Sequence, residues 1–335
     1  MRPSNTVRTV WDAEAIDTSH LRLPANPENC YHPRQFGVHL GNPDSSKPGG
    51  LHKKIITLWT LGSRYMRLSE RAVYRRARAV YRRFRNEAAA QSGRDFAKSS
   101  LSLPLRQTIS KPDENPLRAY FNAHHQGPGV WKWDHYFDIY HRHFSKFRGR
   151  KMTVLEIGIY SGGSLPMWRE YFGTGCTIYG VDIQSECLAY ENAFTHVLIG
   201  DQADPRFWAK VTQSLPRLDV IIDDGGHTYA QQKTTLECLL PHMSPGGVYV
   251  CEDVHGEGNR FAAFSFGIVD ELNNAQQMAS NEDPERRLVL KTVGLQAAIK
   301  AICFYPFIVT IELEDAAVSQ LIAPKRGTQW QPFLT

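Results

Sequence analysis

No apolar run in this chain of 335 residues approaches the roughly 18–20 that a bilayer-spanning helix needs, so an integral helical membrane protein is not expected. The opening stretch, MRPSNTVRTVWDAEA, lacks the apolar core of a secretory signal, and Asp12 and Glu14 argue against a transit peptide. No CxxC pair occurs among the six cysteines (30, 176, 187, 238, 251 and 303). Four of these lie in or beside apolar runs, where a reduced buried thiol is the ordinary reading. A zinc ribbon or disulfide framework is therefore not expected, and a reducing, cytoplasmic setting is. Two phosphate-binding loops are missing as well. No GK[ST] follows the glycine turn near residue 160, and GxGxxG would need glycine where the chain has Tyr160. Acid is nearly absent from 53 to 85, where Lys53, Lys54 and nine arginines face the single acid Glu70; this stretch carries +10, so the rest of the chain carries −5.

What is present suffices for a sizeable core, since 42% of residues are hydrophobic and 22% charged. Residues 1–50 are rich in Pro, Asn, Gly and Ser, which predicts an irregular arm. In the basic stretch AVYRRAR (72–78) repeats at once as AVYRRFR (79–85). Seven-residue spacing puts Val73, Ala77, Val80, Tyr81 and Phe84 on one helical stripe with arginine around it. Such a helix docks on the main domain or another subunit, or meets a membrane surface or polyanion. Arginine density alone does not choose between these, and specific nucleic-acid recognition is not expected because phosphate attraction carries no sequence information. A Ser/Pro-rich connector follows, so residues 1–115 read as arm, basic amphipathic helix and linker. Residues 116–150 read as a helical cap, in which Tyr136, Tyr140 and Phe144 recur at helical spacing.

From residue 151 to about 325 the pattern changes. TVLEIGI, TIYGVDI, THVLIGD, LDVIIDD and GVYVCED are short apolar runs, most of them separated by helix-compatible segments. That alternation predicts an α/β fold with a doubly wound, mostly parallel sheet. LVLKTVG and IKAICFYPFIVTIEL read as closing strands with a turn at Tyr305-Pro306, and 326–335 as a tail.

Acidic residues stop these runs at the edge where such sheets bind ligands. Gly158, in the turn after the first strand, lets a backbone approach a ligand. A cofactor without a phosphate cradle fits this turn, and S-adenosylmethionine is one. Glu156 is placed to hold its amino-acid end, Asp182 its ribose, and Asp201-Gln202 the adenine edge; Tyr160, Ser164 and Asp223 complete the cofactor set. The alternative is that strand-end acids merely cap the following helices. Asp224, Glu252 and Asp253 end two strands expected to be neighbours. Carboxylates that close repel unless a cation lies between them, and oxygen ligands favour Mg²⁺. The same acids also suit N-caps, water-facing charges or substrate amines. His227, past two glycines, is the candidate general base, against a purely structural histidine.

Taken together, VLEIGIYSGGSLPMWREYF, YGVDI, GDQAD, DVIIDDGGH, PGGVYVCED and IKAICFYPFIVTIE resemble the metal-dependent macrolide sugar O-methyltransferases and the related cephalosporin hydroxylase-like proteins, over about residues 117–315. The resemblance implies a seven-stranded Rossmann-like methyltransferase sheet and a homo-oligomer. It also implies S-adenosylmethionine with Mg²⁺ at Asp224, Glu252 and Asp253, His227 as base, and a small-molecule hydroxyl acceptor such as a sugar. GPGVWKWDHYFDIY, with Lys132, His135, Tyr136 and Tyr140, departs in spacing from the family's Gly-x-x-Lys stretch. A binding or scaffolding protein that kept the fold without the chemistry is the competing class.

Overall fold

The computed structural model describes residues 87–97, 115–256, 259–273, 287–292, 294–324 and 326–327. The chain divides into two units, Met1–Leu105 and Arg106–Thr335. Of the first, residues 87–97 form an exposed helix in which Arg94 pairs with Glu87 at 2.8 Å. The irregular arm, the basic repeat at 53–85 and the end of the C-terminal tail lie outside the described residues. Among those described, no helix is long and apolar enough to cross a membrane, and cysteines 176, 187, 238, 251 and 303 are free.

The second unit is built on a seven-stranded sheet. Five strands, β1 (Met152–Ile157), β2 (Cys176–Asp182), β3 (Thr195–Ile199), β4 (Leu218–Asp223) and β5 (Met243–Cys251), run parallel. A hairpin of β7 (Ile299–Tyr305) and β8 (Ile308–Leu313) closes the edge, with β8 antiparallel to β5. The order is β3-β2-β1-β4-β5-β8-β7, the doubly wound sheet that strand–helix alternation predicted. One expectation is corrected. LVLK does not close this sheet; it lies in β6 (Arg287–Lys291), which pairs with β9 (Gln320–Pro324) in a separate two-stranded ribbon. A short apolar run reveals that a strand forms, but not its partner. The Tyr305-Pro306 turn is where it was expected, and Phe307 there adopts a φ of 65°.

The central strands read as continuous apolar runs because both faces are covered. Val154, Ile178, Val220 and Val250 join one core cluster, while Leu155, Ile221 and Tyr249 join the other. Helices α1 (Pro116–Ala123), α2 (Tyr136–Phe144) and α3 (Ser164–Phe172) cover the first face. Helix α1 starts where the Asn115 side chain accepts the Leu117 N–H ahead of Pro116, whose missing N–H costs nothing at a helix start. Tyr140 of α2 stacks on Phe144 at 5.8 Å and meets the edge of Trp168 of α3 at 5.2 Å, so the i, i+4, i+8 aromatics do face the core. Helices α4 (Pro205–Val211), α5 (Tyr229–Leu239) and α6 (Phe261–Leu272) follow β3, β4 and β5 in the chain. Their packing residues Trp208, Leu236 and Phe261 belong to the second cluster.

Trp168 is fully buried between α2 and the sheet. Trp168→Ala is therefore expected to cost about 3–5 kcal/mol, seen as a lowered midpoint in urea unfolding followed by circular dichroism.

Candidate active site

The parallel ladder carries on past the formal strand ends. Asp224 N–H donates to Ile157 O at 3.0 Å, Glu252 N–H to Asp223 O at 2.9 Å, and Gly158 N–H to Val181 O at 2.8 Å. Gly158, Asp224 and Glu252 therefore stand side by side at the carboxyl edge of the sheet. Gly158 has a φ of +82°, and a Cβ there would come within 2.1 Å of Asp224 O. The position requires glycine for both conformation and space. Above this edge lies a cavity of about 860 Å³. Gly158, Tyr160, Ser164, Asp182 and Asp201 border one half, Asp224, His227, Glu252 and Asp253 the other, and the 129–134 loop also lines it.

The strand-end acids are not helix caps among the described helices. Asp204, not Asp201, caps α4, and Thr228 caps α5 in a reciprocal box with Gln231. Asp182 instead braces the glycine turn, accepting Tyr160 N–H and Gln184 N–H at 3.0 Å each. Asp201 accepts Ala203 N–H at 2.8 Å. Each keeps lone pairs free for a ligand. Glu156 is buried beneath them. Its Oε2 accepts the Ser164 hydroxyl at 2.7 Å and its Oε1 has no hydrogen-bond partner. Burial pushes this carboxyl up, although a nearby lysine pulls the other way.

Two residues assigned to the cofactor also hold the turn behind it. Gln202 is buried, donating to Asp223 Oδ1 at 2.8 Å and Thr235 Oγ1 at 3.1 Å while accepting Gly226 N–H at 2.8 Å. Its amide holds the DDGGH turn while the residue also lines the cavity. Asp223 is also buried and is not among the cavity-lining residues; it accepts the Tyr249 hydroxyl at 2.8 Å, and burial pushes its carboxyl up to about 6. Asp223 braces the site from behind. Its position at a strand end suggested ligand contact, but side-chain direction there depends on packing that the sequence does not display.

The acidic half is organised by Lys132, a residue whose role the sequence left open. Its side chain is 3% exposed, and Nζ lies 2.6 Å from Asp224 Oδ2, 3.1 Å from Glu252 Oε2 and 3.6 Å from Glu156 Oε1. Burial alone would push this ammonium down; the three acids outweigh it and hold it above the ordinary lysine range. Glu252 also accepts the Tyr140 hydroxyl at 2.6 Å. Burial and the charge of Asp224 still push its carboxyl up. Asp253 sits at a φ of 52° and faces the other way. Its Oδ1 accepts the Tyr136 hydroxyl at 2.9 Å and Trp133 Nε1–H at 3.0 Å. Its Oδ2 is 3.6 Å from His227 Nε2, which is 3.9 Å from Asp224 Oδ1.

Asp224, His227 and Asp253 each offer an atom within 4.8 Å of the others, close enough to share a cation. The carboxylate oxygens suit a hard divalent ion. Of the expected trio, the structure brings Asp224 and Asp253 onto His227, while both oxygens of Glu252 turn towards Lys132.

Residues 155–254 match the family model of a methyltransferase domain. The doubly wound sheet and the glycine turn after β1 lie within or beside that match, which is to the methyltransferase class. Within that class the chain is similar to proteins that modify sugars on natural products. It is 38% identical over 154 residues to demethylmacrocin O-methyltransferase of Streptomyces fradiae, covering 44% of this chain and 38% of that protein. It is 36% identical over 194 residues to mycinamicin VI 2''-O-methyltransferase of Micromonospora griseorubida, covering 52% and 47%. The chain thus spans less than half the length of the curated relatives it matches. A solved MycE methyltransferase from the mycinamycin biosynthetic pathway, in complex with Mg and SAH, is 26% identical, with 61% of this chain and 55% of that one covered at a TM-score of 0.48. The sequence relatives bear out the resemblance to macrolide sugar O-methyltransferases.

Gly158→Ala is expected to destabilise the chain by about 1–3 kcal/mol from its positive φ alone, with the steric conflict at Asp224 O adding to this. An unchanged urea midpoint would show that the turn does not need glycine.

Proposed function

We propose that this chain is a divalent-cation-assisted O-methyltransferase that moves the methyl group of S-adenosylmethionine to a hydroxyl of a small molecule, with sugars on natural products as the leading acceptor class. The observation that carries the reading is the single cavity whose two halves hold complementary chemistry. A glycine turn with free carboxylate lone pairs lies on one side, and a histidine between two carboxylates on the other. The acceptor class comes from the relatives, whose names specify macrolide and tetracenomycin sugars.

Gly158 lets the β1 and β4 turns close up beneath the cofactor half, and Asp182 and Asp201 offer acceptors for ribose and base. Ser164 and Glu156 lie deeper, and the Glu156 oxygen without a hydrogen bond already faces the Lys132 ammonium at 3.6 Å. Tyr160, 75% exposed, flanks the entrance. Asp224 and Asp253, with Glu252 behind them, are the residues that would hold the ion. When bound, a divalent ion lowers the pKa of a coordinated hydroxyl, and S-adenosylmethionine supplies an electrophilic methyl group. His227 takes the hydroxyl proton at Nε2, where Asp224 and Asp253 stabilise the resulting imidazolium. Holding acceptor and donor side by side supplies the orientation that an in-line transfer needs. The proposal extends to a homo-oligomer, and to residues 53–85 as a contact for a polyanion or membrane surface, on the strength of their striped arginine-rich pattern.

His227→Ala is expected to lower turnover by about 10²–10⁴-fold while S-adenosylhomocysteine affinity by calorimetry stays within a few-fold. Turnover near the wild-type level would remove the base. Treatment with EDTA is expected to abolish activity and Mg²⁺ to restore it; full activity in the chelator would remove the metal.

A further inference from the structure

The proposed chemistry makes no use of Lys132, although its ammonium lies at the centre of the acid cage. It reaches Asp224, Glu252 and Glu156 within 3.6 Å from a chain segment with no helix or strand of its own, between α1 and α2. Trp133, next in that segment, ends on Asp253 through its indole N–H. Two consecutive side chains thus pin the 129–134 loop to the sheet edge, and both are anchored on the acids that would ligate an ion. Trp131, between Val130 and Lys132 on the cavity wall, is 89% exposed, whereas Val130 packs on the core and Asp134 pairs with Arg118, so the ends of the loop are held and its middle is free to shift.

Like charges this close need a cation, and a primary ammonium satisfies that need with one charge and three donors. A divalent ion satisfies it with two charges. Lys132 holds Asp224 through Oδ2 while Oδ1 faces His227 and Asp253, so an ion there shares the Asp224 carboxylate with the ammonium and the two cations compete for its charge.

We propose that Lys132 is a tethered cation that holds the acid cage until a divalent ion displaces it, so that ion binding and movement of the 129–134 loop are one coupled event. This rests on reading Asp224 and Asp253 as cation ligands. Lys132 is then a positioning residue with two consequences. It sets the ion concentration at which the site fills, and it ties the tryptophan-bearing wall of the cavity to the state of the cage. The coupling is reciprocal, so whatever holds the loop down weakens the ion and the reverse.

The test is a calorimetric titration of Mg²⁺ alone into the full chain, in wild type, Lys132→Met and Lys132→Arg, with tryptophan emission followed in parallel. Trp131→Phe and Trp133→Phe identify the emission of the loop. Removing the competitor is expected to tighten Mg²⁺ binding about tenfold in Lys132→Met, and to abolish the loop's emission change on Mg²⁺ addition. The forked guanidinium of Lys132→Arg grips two carboxylates at once and is expected to weaken Mg²⁺ about tenfold. If Lys132→Met does not fold, the arginine variant decides alone. Mg²⁺ affinity equal to or weaker than wild type in Lys132→Met, or equal to or tighter in Lys132→Arg, overturns the inference and leaves the metal site standing. No Mg²⁺ binding in any of the three proteins overturns both.

Discussion

Three carboxylates, those of Glu156, Asp224 and Glu252, stand together at the flush carboxyl ends of β1, β4 and β5, two of them almost wholly buried. Their mutual repulsion in a low-dielectric interior is the constraint on which the site depends. An uncompensated ion there costs several kcal/mol, so the fold must supply positive charge or protonate the acids. It supplies the charge: Lys132 comes down from the loop ahead of α2, while burial pushes the Glu252 and Glu156 carboxyls up. This charge pairing links the helical cap to the sheet and makes the cavity between them more than a gap in packing.

The surroundings hold these groups with little freedom. Gln202, Asp223, Tyr249 and Thr235 form a buried hydrogen-bonded brace behind the DDGGH turn, with each polar group occupied. His227 and Asp253 both have positive φ, of 54° and 52°, a conformation that non-glycine residues adopt at a cost of about 1–3 kcal/mol each. The tip of the β7–β8 hairpin locks the second of these turns in place, because Phe307 O accepts both Val254 N–H and the Tyr136 hydroxyl. Strain at two facing turns points the histidine and the carboxylate at each other, the arrangement that proton transfer beside a cation requires.

Much of this was legible beforehand because its cause is local. Apolar runs buried on both faces announced β1 to β5, glycine marked the turn at 158, and acids at the strand ends marked the ligand edge. The relation of Asp224 to Asp253 followed from treating β4 and β5 as neighbours. What escaped depends on contacts distant in sequence. Lys132 finds Asp224 across 92 residues, and no periodicity encodes that reach. Asp223 looked like a cofactor contact because a strand-end position fixes the backbone but not the side chain's direction. β6 looked like part of the main sheet because a pleated run does not name its partner. Glu252 and Asp253 are adjacent, and the left-handed turn at Asp253 sends one carboxylate towards Lys132 and the other towards His227, a divergence that the sequence does not display.

The central claim is that the ends of β4 and β5 hold a divalent cation beside His227. The most direct measurement is anomalous diffraction from crystals of the chain soaked in Mn²⁺, which replaces Mg²⁺ at oxygen-rich sites. The account predicts one strong peak ligated by Asp224 and Asp253, with the Lys132 ammonium moved off Asp224. Ordered Mn²⁺ found only elsewhere on the surface, with Lys132 still bridging Asp224 and Glu252, would contradict it.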